Sequence, residues 1–265
     1  MNATEEKTNQ GSVSITATGD VARVVLSNPG KLNAFTWKMY DELAVLPAYL
    51  EAHENIRAVV FQGEGEAFAA GTDITQFKDF LSGEQGLEYE NRVGTILDAL
   101  SGIRVPTIAV VHGPAVGAGL AVAATCDVLI ATPSAFFGAP IARKVGNCLP
   151  PAVIMRLQAR LGINRTMAML LTSTMISAQE ALTAGFVHRI VNPDLLDQEV
   201  TRIANRITTS APLTLASLKE ISRRIEERAL QIDADDLLRL CYGSDDFQEG
   251  VTAFTEHRPA AWKGR

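Results

Sequence analysis

The segment most able to do chemistry is a run of small residues that follows an apolar strand. Residues 110–123 read Val-Val-His-Gly-Pro-Ala-Val-Gly-Ala-Gly-Leu-Ala-Val-Ala, an order that predicts a strand, a glycine loop and then a helix. Small side chains let a ligand approach the backbone, and the first N–H groups of a helix lack partners within it. The loop is therefore suited to hold an anion or a developing oxyanion, although a tight packing turn explains the same pattern.

A second small-residue turn follows another predicted strand, where residues 69–73 read Ala-Ala-Gly-Thr-Asp. Two such turns at the carboxyl ends of parallel strands can direct two N–H donors at one carbonyl oxygen. Removing one donor of this kind costs about 2.7–4 kcal/mol of transition-state stabilisation. Nucleotide binding fits the sequence poorly, because the pattern lacks the third glycine of a dinucleotide fingerprint and the Gly-Lys-Ser/Thr of a phosphate loop.

The strands and helices that must position these turns alternate along the chain. The β-branched runs on either side of Gly19-Asp20 predict a hairpin. Apolar residues at roughly helical spacing, from a predicted N-cap at Thr36 to Leu50, predict a helix. Further strands are predicted at residues 57–61, 107–112, 128–131 and 186–191, and further helices within 87–100, from about 119 and over 177–184. This alternation indicates a parallel sheet and an α/β fold class.

The chain after about residue 195 is predicted to be helical throughout. Its apolar residues recur at helical spacing: Leu213, Leu215, Leu218, Ile221, Ile225 and Leu230. We therefore expect a β/α core over residues 1–195 and a C-terminal helical subdomain over residues 196–265.

The composition excludes several classes of protein. A net charge of −6 and a pI near 5.3 argue against a nucleic-acid partner. We see no secretory signal and no run of about 20 uncharged apolar residues, so we expect a cytoplasmic protein with no membrane partner. Three widely spaced cysteines (Cys126, Cys148 and Cys241) and four scattered histidines predict neither a disulfide framework nor a metal site.

Six motifs occur in a fixed order along nearly the whole chain. The first two read Asn-Pro-Gly-Lys-Leu-Asn-Ala at residues 28–34 and Phe-Ala-Ala-Gly-Thr-Asp-Ile at residues 68–74. The others lie at 112–127, 137–138, 176–187 and 249–256. In this set and order the chain resembles the enoyl-CoA hydratase/isomerase (crotonase) superfamily.

The resemblance implies a crotonase-like ββα spiral core with C-terminal helices, and an acyl-CoA substrate of the kind found in fatty acid metabolism. Coenzyme A then enters as part of the thioester substrate, with no permanently bound cofactor and no metal. A homotrimer, or a hexamer built as a dimer of trimers, is also implied, with residues 196–265 as the trimerisation subdomain.

The resemblance also assigns roles to individual residues. The backbone N–H groups of Thr72 and Ala118 should be the oxyanion donors. The residues implied to bind coenzyme A, the last two in a neighbouring subunit, are Lys31, Asn33, Ala34, Ala70, Asp73, Ile74, Gly117, Trp262 and Lys263. Asp73 is interpreted as the cap of the following helix rather than as a base.

The chain departs from the family pattern at two positions that matter for chemistry. Hydratases of this family use two glutamates to handle the water that adds across the double bond. Here the first position falls on Ala121, and the second on Ile141 or, after a one-residue slip, Ala142. Because one positioned acid–base group contributes about 10²- to 10⁴-fold, efficient two-glutamate hydration is not expected.

Cys148 lies near the position where some family members that dehalogenate or close rings carry an aspartate. A thiolate there is a possible nucleophile or acid–base group if nearby positive charge lowers its pKa. A small buried packing residue explains it equally simply. Cys126 is interpreted as structural.

Other polar residues near these motifs carry two interpretations each. Arg143 and Lys144 are either solvated loop charges or partners for a carboxylate on the acyl group. Glu88 or Glu90 either swings in as the missing carboxylate or belongs to a solvated helical face. His112 is interpreted as a core histidine with its hydrogen bonds satisfied.

Three functions compete at this point. The first is a lyase or isomerase that stabilises enolate-like charge on an acyl-CoA. The second is a non-catalytic or divergent acyl-CoA-binding homologue, which explains Ala121 and Ile141 directly. The third is a thioester hydrolase or transferase that depends on Cys148.

Overall fold

The computed structural model describes residues 11–229 and 233–265. In this part of the chain nine strands form two sheets. The strands are β1 Ser12–Thr18, β2 Val21–Ser27, β3 Ala58–Gly63, β4 Thr107–Val111, β5 Pro114–Val116, β6 Val128–Ala131, β7 Phe136–Gly138, β8 Ile176–Ser177 and β9 Arg189–Ile190. The main sheet has the order β1-β2-β3-β4-β6-β9, and the small sheet has the order β5-β7-β8.

The main sheet is parallel except at its first strand. β1 and β2 form the predicted antiparallel hairpin, with Gly19 at a φ of +63° in the turn, a conformation that glycine adopts without steric cost. The pairs β2–β3, β3–β4, β4–β6 and β6–β9 are all parallel. The predicted hairpin and parallel sheet are confirmed. The strand predicted over 186–191 is shorter, because the Phe186 and Val187 N–H groups bond the Ala181 carbonyl and only Arg189 and Ile190 are in register with β6.

Twelve helices lie within the described residues. They are α1 Trp37–Ala44, α2 Leu46–Ala52, α3 Gly83–Ser101, α4 Ala118–Thr125, α5 Ile141–Lys144, α6 Pro151–Leu161, α7 Ile163–Thr172, α8 Ala178–Ala184, α9 Leu196–Thr208, α10 Pro212–Ala229, α11 Asp235–Tyr242 and α12 Asp245–Thr255. Short 3₁₀ turns span Ile74–Phe77 and Pro193–Leu195.

The predicted helix from Thr36 to Leu50 is two helices. Thr36 caps α1 as expected, since its side chain accepts a hydrogen bond from the Met39 N–H. The break falls at Val45 because Pro47 stands in the first turn of α2. Proline has no N–H to donate, and its ring would clash with a carbonyl one turn earlier in a continuous helix.

Alternate residues of the central strands face two hydrophobic clusters. Val59 and Phe61 point to the larger cluster, whereas Val60 points to a smaller one that also holds Val200 and Ile203 of α9. Helix α9 therefore covers one face of the main sheet, and its burial follows from the two-residue period of the strands. The two small-residue turns lie on the other side, with the larger cluster.

The helices after residue 195 differ in what they bury. Tyr242 of α11 and Phe247 of α12 are fully buried in the larger cluster. By contrast, four apolar residues of α10 are exposed: Leu213, Leu218, Ile221 and Ile225. Leu230 lies outside the described residues. The division of the chain at residue 195 stays a prediction.

No helix in the described ranges is both long enough and apolar enough to cross a membrane.

Candidate active site

Two short turns, residues 69–73 and 116–119, meet in space and are called the paired turns below. The Val116 N–H donates to the Ala69 carbonyl at 2.9 Å, and an isolated bridge joins Ala69 to Ala115. On its other side the first turn is held by Phe35, whose N–H donates to the Gly71 carbonyl at 2.8 Å. The two small-residue turns are therefore in direct contact, and their role as oxyanion donors stays a prediction.

Glycine is required in the second turn for reasons of space and of backbone angle. Gly117 has φ +54° and ψ −118°, which side chains rarely permit. A Cβ atom on Gly117 would lie 3.5 Å from the Gly71 Cα, and one on Gly119 would lie only 2.1 Å from the Ala69 carbonyl oxygen. The small residues thus allow α4 to begin directly against the first turn.

Each of the paired turns carries a backbone N–H that no described residue accepts. In the parallel bridge between Phe35 and Thr72, the bonds run through the Gly71 carbonyl and the Asp73 N–H. The Thr72 N–H therefore points away from Phe35. Ala118 is the first residue of α4, where N–H groups have no partner within the helix and carry partial positive charge.

The Thr72 side chain is fixed by two buried phenols. Its Oγ1 lies 2.7 Å from the Tyr40 hydroxyl and 2.7 Å from the Tyr89 hydroxyl. Burial raises the pKa of Tyr40 to about 12 and also raises the pKa of Tyr89. Both phenols therefore stay neutral near pH 7, and the first turn is held without adding charge beside its N–H group.

A cavity of about 560 Å³ opens on both turns, a size typical of small-molecule sites. Thr72 and Ala118 line it, and most of the remaining wall is apolar. Its apolar residues include Phe77, Val93, Leu97, Val116, Leu149, Val153 and Phe254. Ala121 and Ile141 also lie in this wall, so the two positions interpreted as vacant glutamate sites face the cavity.

Glu90 is a carboxylate in the cavity wall that the sequence only raised as an alternative. It lies on α3 and is 6% exposed, so a solvated helical face is wrong for Glu90, although Glu88 is exposed. The spacing of Leu87, Glu90, Val93 and Leu97 carries the missed signal, because it puts Glu90 in the apolar stripe of its helix.

The Glu90 cluster consists of Glu90, Tyr242 and Asn147. The Tyr242 hydroxyl donates to Glu90, and the Asn147 Nδ2 donates to the Tyr242 oxygen at 3.1 Å. Burial raises the pKa of Glu90 to about 8, although the Tyr242 hydrogen bond acts in the opposite direction. Burial raises the pKa of Tyr242 as well. At neutral pH Glu90 is thus mostly a neutral acid that can still ionise.

Cys148 is partly buried and is absent from the described residues that line the cavity. A hydrogen bond with Cys241, together with burial, raises the pKa of Cys148 well above its usual value, while the same bond lowers the pKa of Cys241 to about 7. This environment holds Cys148 as a thiol, which gives no support to a nucleophilic role. Burial raises the pKa of Cys126 to about 12, in line with its structural interpretation.

The residues near the first turn that are predicted to bind coenzyme A lie in a loop held by side-chain hydrogen bonds. Lys31 Nζ lies 2.6 Å from Asp73 Oδ2, and Asp73 caps the following 3₁₀ turn by accepting bonds from Thr75. Burial would raise the pKa of Asp73, but the bonds from Lys31 and Thr75 outweigh it and lower that pKa. The Asn33 Nδ2 donates to the carbonyls of Glu64 and Ala67 at 2.8 Å each, so its amide shapes the loop.

The predicted loop and binding residues divide between the cavity and the surface. The cavity wall includes Lys31, Ala34, Ala70, Asp73, Ile74, Gly117 and Lys144. Arg143 is exposed. The prediction of a core histidine is wrong for His112, which is partly exposed because it follows the end of β4, although its Nε2 lies 2.8 Å from the Gly65 carbonyl oxygen.

The C-terminal residues predicted to bind coenzyme A, Trp262 and Lys263, are absent from the described residues that line the cavity. Trp262 lies close to Gly146, with a ring atom 3.3 Å from the position of a Cβ on that glycine. The Lys263 N–H donates to the Asp246 carboxylate at 2.6 Å. Their predicted contribution to a neighbouring subunit stays a prediction.

Comparison with known proteins identifies the family. A family profile described as enoyl-CoA hydratase/isomerase matches residues 16–265. The short-chain-enoyl-CoA hydratase of Clostridium acetobutylicum is 30% identical over 250 residues, covering 91% of this chain and 93% of that protein. The carnitinyl-CoA dehydratase of Proteus mirabilis is 31% identical over 263 residues, covering 96% of this chain and 99% of that protein.

The same family appears among solved structures. Methylmalonyl-CoA decarboxylase in complex with 2-nitronate-propionyl-CoA superposes with a TM-score of 0.86 at 25% identity, covering 96% of this chain and 99% of that chain. The fold is therefore the crotonase fold. The chain belongs to the enoyl-CoA hydratase/isomerase (crotonase) family, whose members act on acyl-CoA thioesters, and the predicted resemblance is confirmed.

Proposed function

We propose that the protein is an acyl-CoA lyase or isomerase whose reaction passes through an enolate-like thioester anion. The backbone N–H groups of Thr72 and Ala118 hold the anionic oxygen. The observation that carries this proposal is the pair of unaccepted N–H groups on touching turns in the wall of an apolar cavity. Fixed donors in such a low-dielectric site stabilise developing charge far better than water does.

The apolar residues at Ala121 and Ile141 support enolate chemistry over hydration. Adding water across a double bond needs groups that activate the water and protonate the carbon, whereas forming an enolate needs one base and an oxyanion site. The relatives include a hydratase, a dehydratase and a decarboxylase, and each name refers to a coenzyme A thioester. The reaction type therefore rests on the site, and the thioester class on the family.

The cavity wall supports an apolar acyl group. Burying apolar surface is favourable by about 25 cal/mol per Å², and the inner wall around Val93, Leu97 and Val153 offers such a surface. Coenzyme A lies along the loop of residues 31–34 and enters only as part of the substrate. Lys31, which is half-exposed beside Asp73, is placed to approach a phosphate with its charge.

We also propose the trimer or hexamer that the family resemblance implies, with residues 196–265 forming the subunit contacts. The exposed apolar residues of α10, Leu213, Leu218, Ile221 and Ile225, support it, because an apolar patch of this kind is typical of an association surface. Sedimentation of the purified protein measures the assembly directly. A monomer at micromolar concentration would contradict this part of the proposal.

The test of the chemistry is hydrogen exchange at the carbon beside the thioester carbonyl. The protein is incubated in deuterium oxide with butyryl-CoA and octanoyl-CoA, and deuterium uptake is followed by mass spectrometry. Turnover of crotonyl-CoA and of a 3-enoyl-CoA is measured in parallel. We expect exchange to be catalysed on the apolar acyl chains.

The matched variants are Ala118→Pro and Ala118→Gly. Proline is tolerated at the first position of a helix but removes the N–H, whereas glycine keeps it. We expect Ala118→Pro to slow exchange by about 10²- to 10³-fold and Ala118→Gly to remain within a few-fold of the unmodified protein. Saturable binding of acyl-CoA without exchange or turnover would instead identify a non-catalytic binding protein.

A further inference from the structure

The cavity wall contains two carboxylates among the described residues, and they differ in what they are free to do. Asp73 is bound by Lys31 Nζ at 2.6 Å and by the Thr75 hydroxyl at 2.7 Å. Glu90 accepts a hydrogen bond from the neutral Tyr242 hydroxyl, and no described cation forms an ion pair with it. The Asp73 carboxylate is thus held in its ionised form by its partners in the loop, whereas the Glu90 carboxyl group can still bind or release a proton.

Holding a carboxylate at this position costs stability. A buried charge without a cation is strongly disfavoured, and a buried neutral acid still loses its hydrogen bonds to water. Val93 and Leu97, one and two turns further along α3, fill the same wall with apolar groups. An apolar residue at position 90 would pack there without that cost, so packing alone does not explain Glu90.

We propose that Glu90 is the catalytic acid–base residue of this site, with Tyr242 and Asn147 as its positioning residues; the inference rests on the proposed oxyanion chemistry. Glu90 reaches the same cavity as the two oxyanion donors from the side of α3. Its neighbour on that helix, Tyr89, bonds the Thr72 hydroxyl at 2.7 Å. One helix therefore links the first of the paired turns to the proposed base.

The proposed reaction balances with this one carboxylate. A Glu90 oxygen takes the proton from the carbon beside the thioester carbonyl, and the C–H electron pair moves to give an enolate whose oxygen faces Thr72 and Ala118. Glu90 is then neutral. Once neutral Glu90 has exchanged its proton with solvent, delivery of a solvent deuteron to the same carbon gives exchange, whereas delivery of the proton to the fourth carbon of a 3-enoyl thioester gives the 2-enoyl isomer. Either delivery restores the carboxylate.

The pH dependence follows from the groups that face Glu90. These are Tyr242 of α11, Cys148 of the loop before α6, Tyr89 of α3 and, further off, Tyr40 of α1. All four are neutral at pH 7, since each has a pKa raised above its usual value. A base must be ionised to act, so the exchange rate should rise with pH up to about 8, the pKa of Glu90.

The test compares Glu90→Gln with Glu88→Gln. Glutamine keeps the shape and can accept the Tyr242 hydrogen bond, but it cannot take a proton. Glu88 is an exposed glutamate two residues away on the same helix. We expect Glu90→Gln to lose about 10²- to 10⁴-fold in exchange with unchanged acyl-CoA affinity by calorimetry, and Glu88→Gln to lose nothing.

A second variant tests the positioning role and guards against a folding artefact. Tyr242→Phe removes the hydrogen bond that lowers the pKa of Glu90. The midpoint of the pH–rate profile should therefore move to higher pH, an effect that a merely structural change would not produce. Glu90→Asp should recover part of the rate that Glu90→Gln loses.

The outcomes separate this inference from the proposed function. If the unmodified protein exchanges, Ala118→Pro is inactive and Glu90→Gln keeps more than a tenth of the rate, then the role of Glu90 is overturned while the oxyanion proposal stands. An unmoved pH profile in Tyr242→Phe would also overturn it. A protein that catalyses exchange on none of the thioesters overturns both.

Discussion

The paired turns and the Glu90 cluster face one cavity, but they are built in opposite ways. The turns offer backbone N–H groups, and each donor directly follows a glycine of positive φ: Thr72 follows Gly71, and Ala118 follows Gly117. The Glu90 cluster offers a side chain whose environment comes from positions 152 residues apart in the chain. In the proposed mechanism each donor turn is thus encoded by a short segment of sequence, whereas proton transfer by Glu90 depends on the docking of distant helices.

We expect the largest effect from a substitution in the paired turns. In Gly119→Ala the added Cβ would lie 2.1 Å from the Ala69 carbonyl oxygen, a backbone atom that cannot rotate away. We expect α4 to shift and the exchange rate to fall by at least about 10²-fold, the cost of misplacing catalytic groups by about 1 Å. Deuterium exchange at saturating octanoyl-CoA measures it, and a rate near that of the unmodified protein would show that the close contact is not required.

Two glycine-to-alanine substitutions on α3 test the Glu90 cluster. A Cβ on Gly86 would lie 2.0 Å from the Tyr242 ring, whereas one on Gly94 would meet nothing within 4 Å. Gly86→Ala should therefore destabilise the protein by about 1–3 kcal/mol through overpacking, and it should displace Tyr242 from Glu90. Gly94→Ala should stabilise it by about 0.5–1 kcal/mol, because alanine is the better helix former. Equal urea midpoints for the two variants would contradict this account.

A further effect concerns the dependence of stability on pH. The pKa of Glu90 is raised to about 8 in the folded protein from an ordinary value of 4.5, so between these values the folded state holds more proton than the unfolded state. Stability contributed by this group is therefore present below about pH 4.5 and is lost as the pH rises towards 8. The melting temperature of Glu90→Gln should exceed that of the unmodified protein by a margin that grows across this range. A constant margin from pH 5 to 8 would argue against a buried titrating carboxylate.

The same contrast explains what the sequence could predict. The hairpin, the parallel sheet and the meeting of the paired turns follow from short-range signals such as β-branched runs and glycines, and the crotonase fold follows from six ordered motifs. The break at Pro47 was missed because the apolar spacing from Met39 to Leu50 continues across it.

The burial of Glu90 could not be predicted with certainty from the sequence alone. The sequence raised Glu88 and Glu90 together, since a lone helix does not reveal which side its neighbours cover. Their burial is decided by α11, which packs against α3 from beyond residue 230, so that Glu90 is enclosed and Glu88 is not. The apolar stripe around Glu90 was the available signal. It indicates that Glu90 is buried, but it does not indicate whether a buried glutamate has a role in chemistry.

The contact between Tyr242 and Glu90 also has a consequence for the order in which the Glu90 cluster is completed. A chain that ends before residue 235 would contain both glycine turns and the whole main sheet, yet α3 would present Glu90 to water. Such a chain would carry an ordinary carboxylate in place of the tuned one. The enclosure of Glu90 is thus completed only when α11 docks on α3, after both turns and the main sheet have been synthesised.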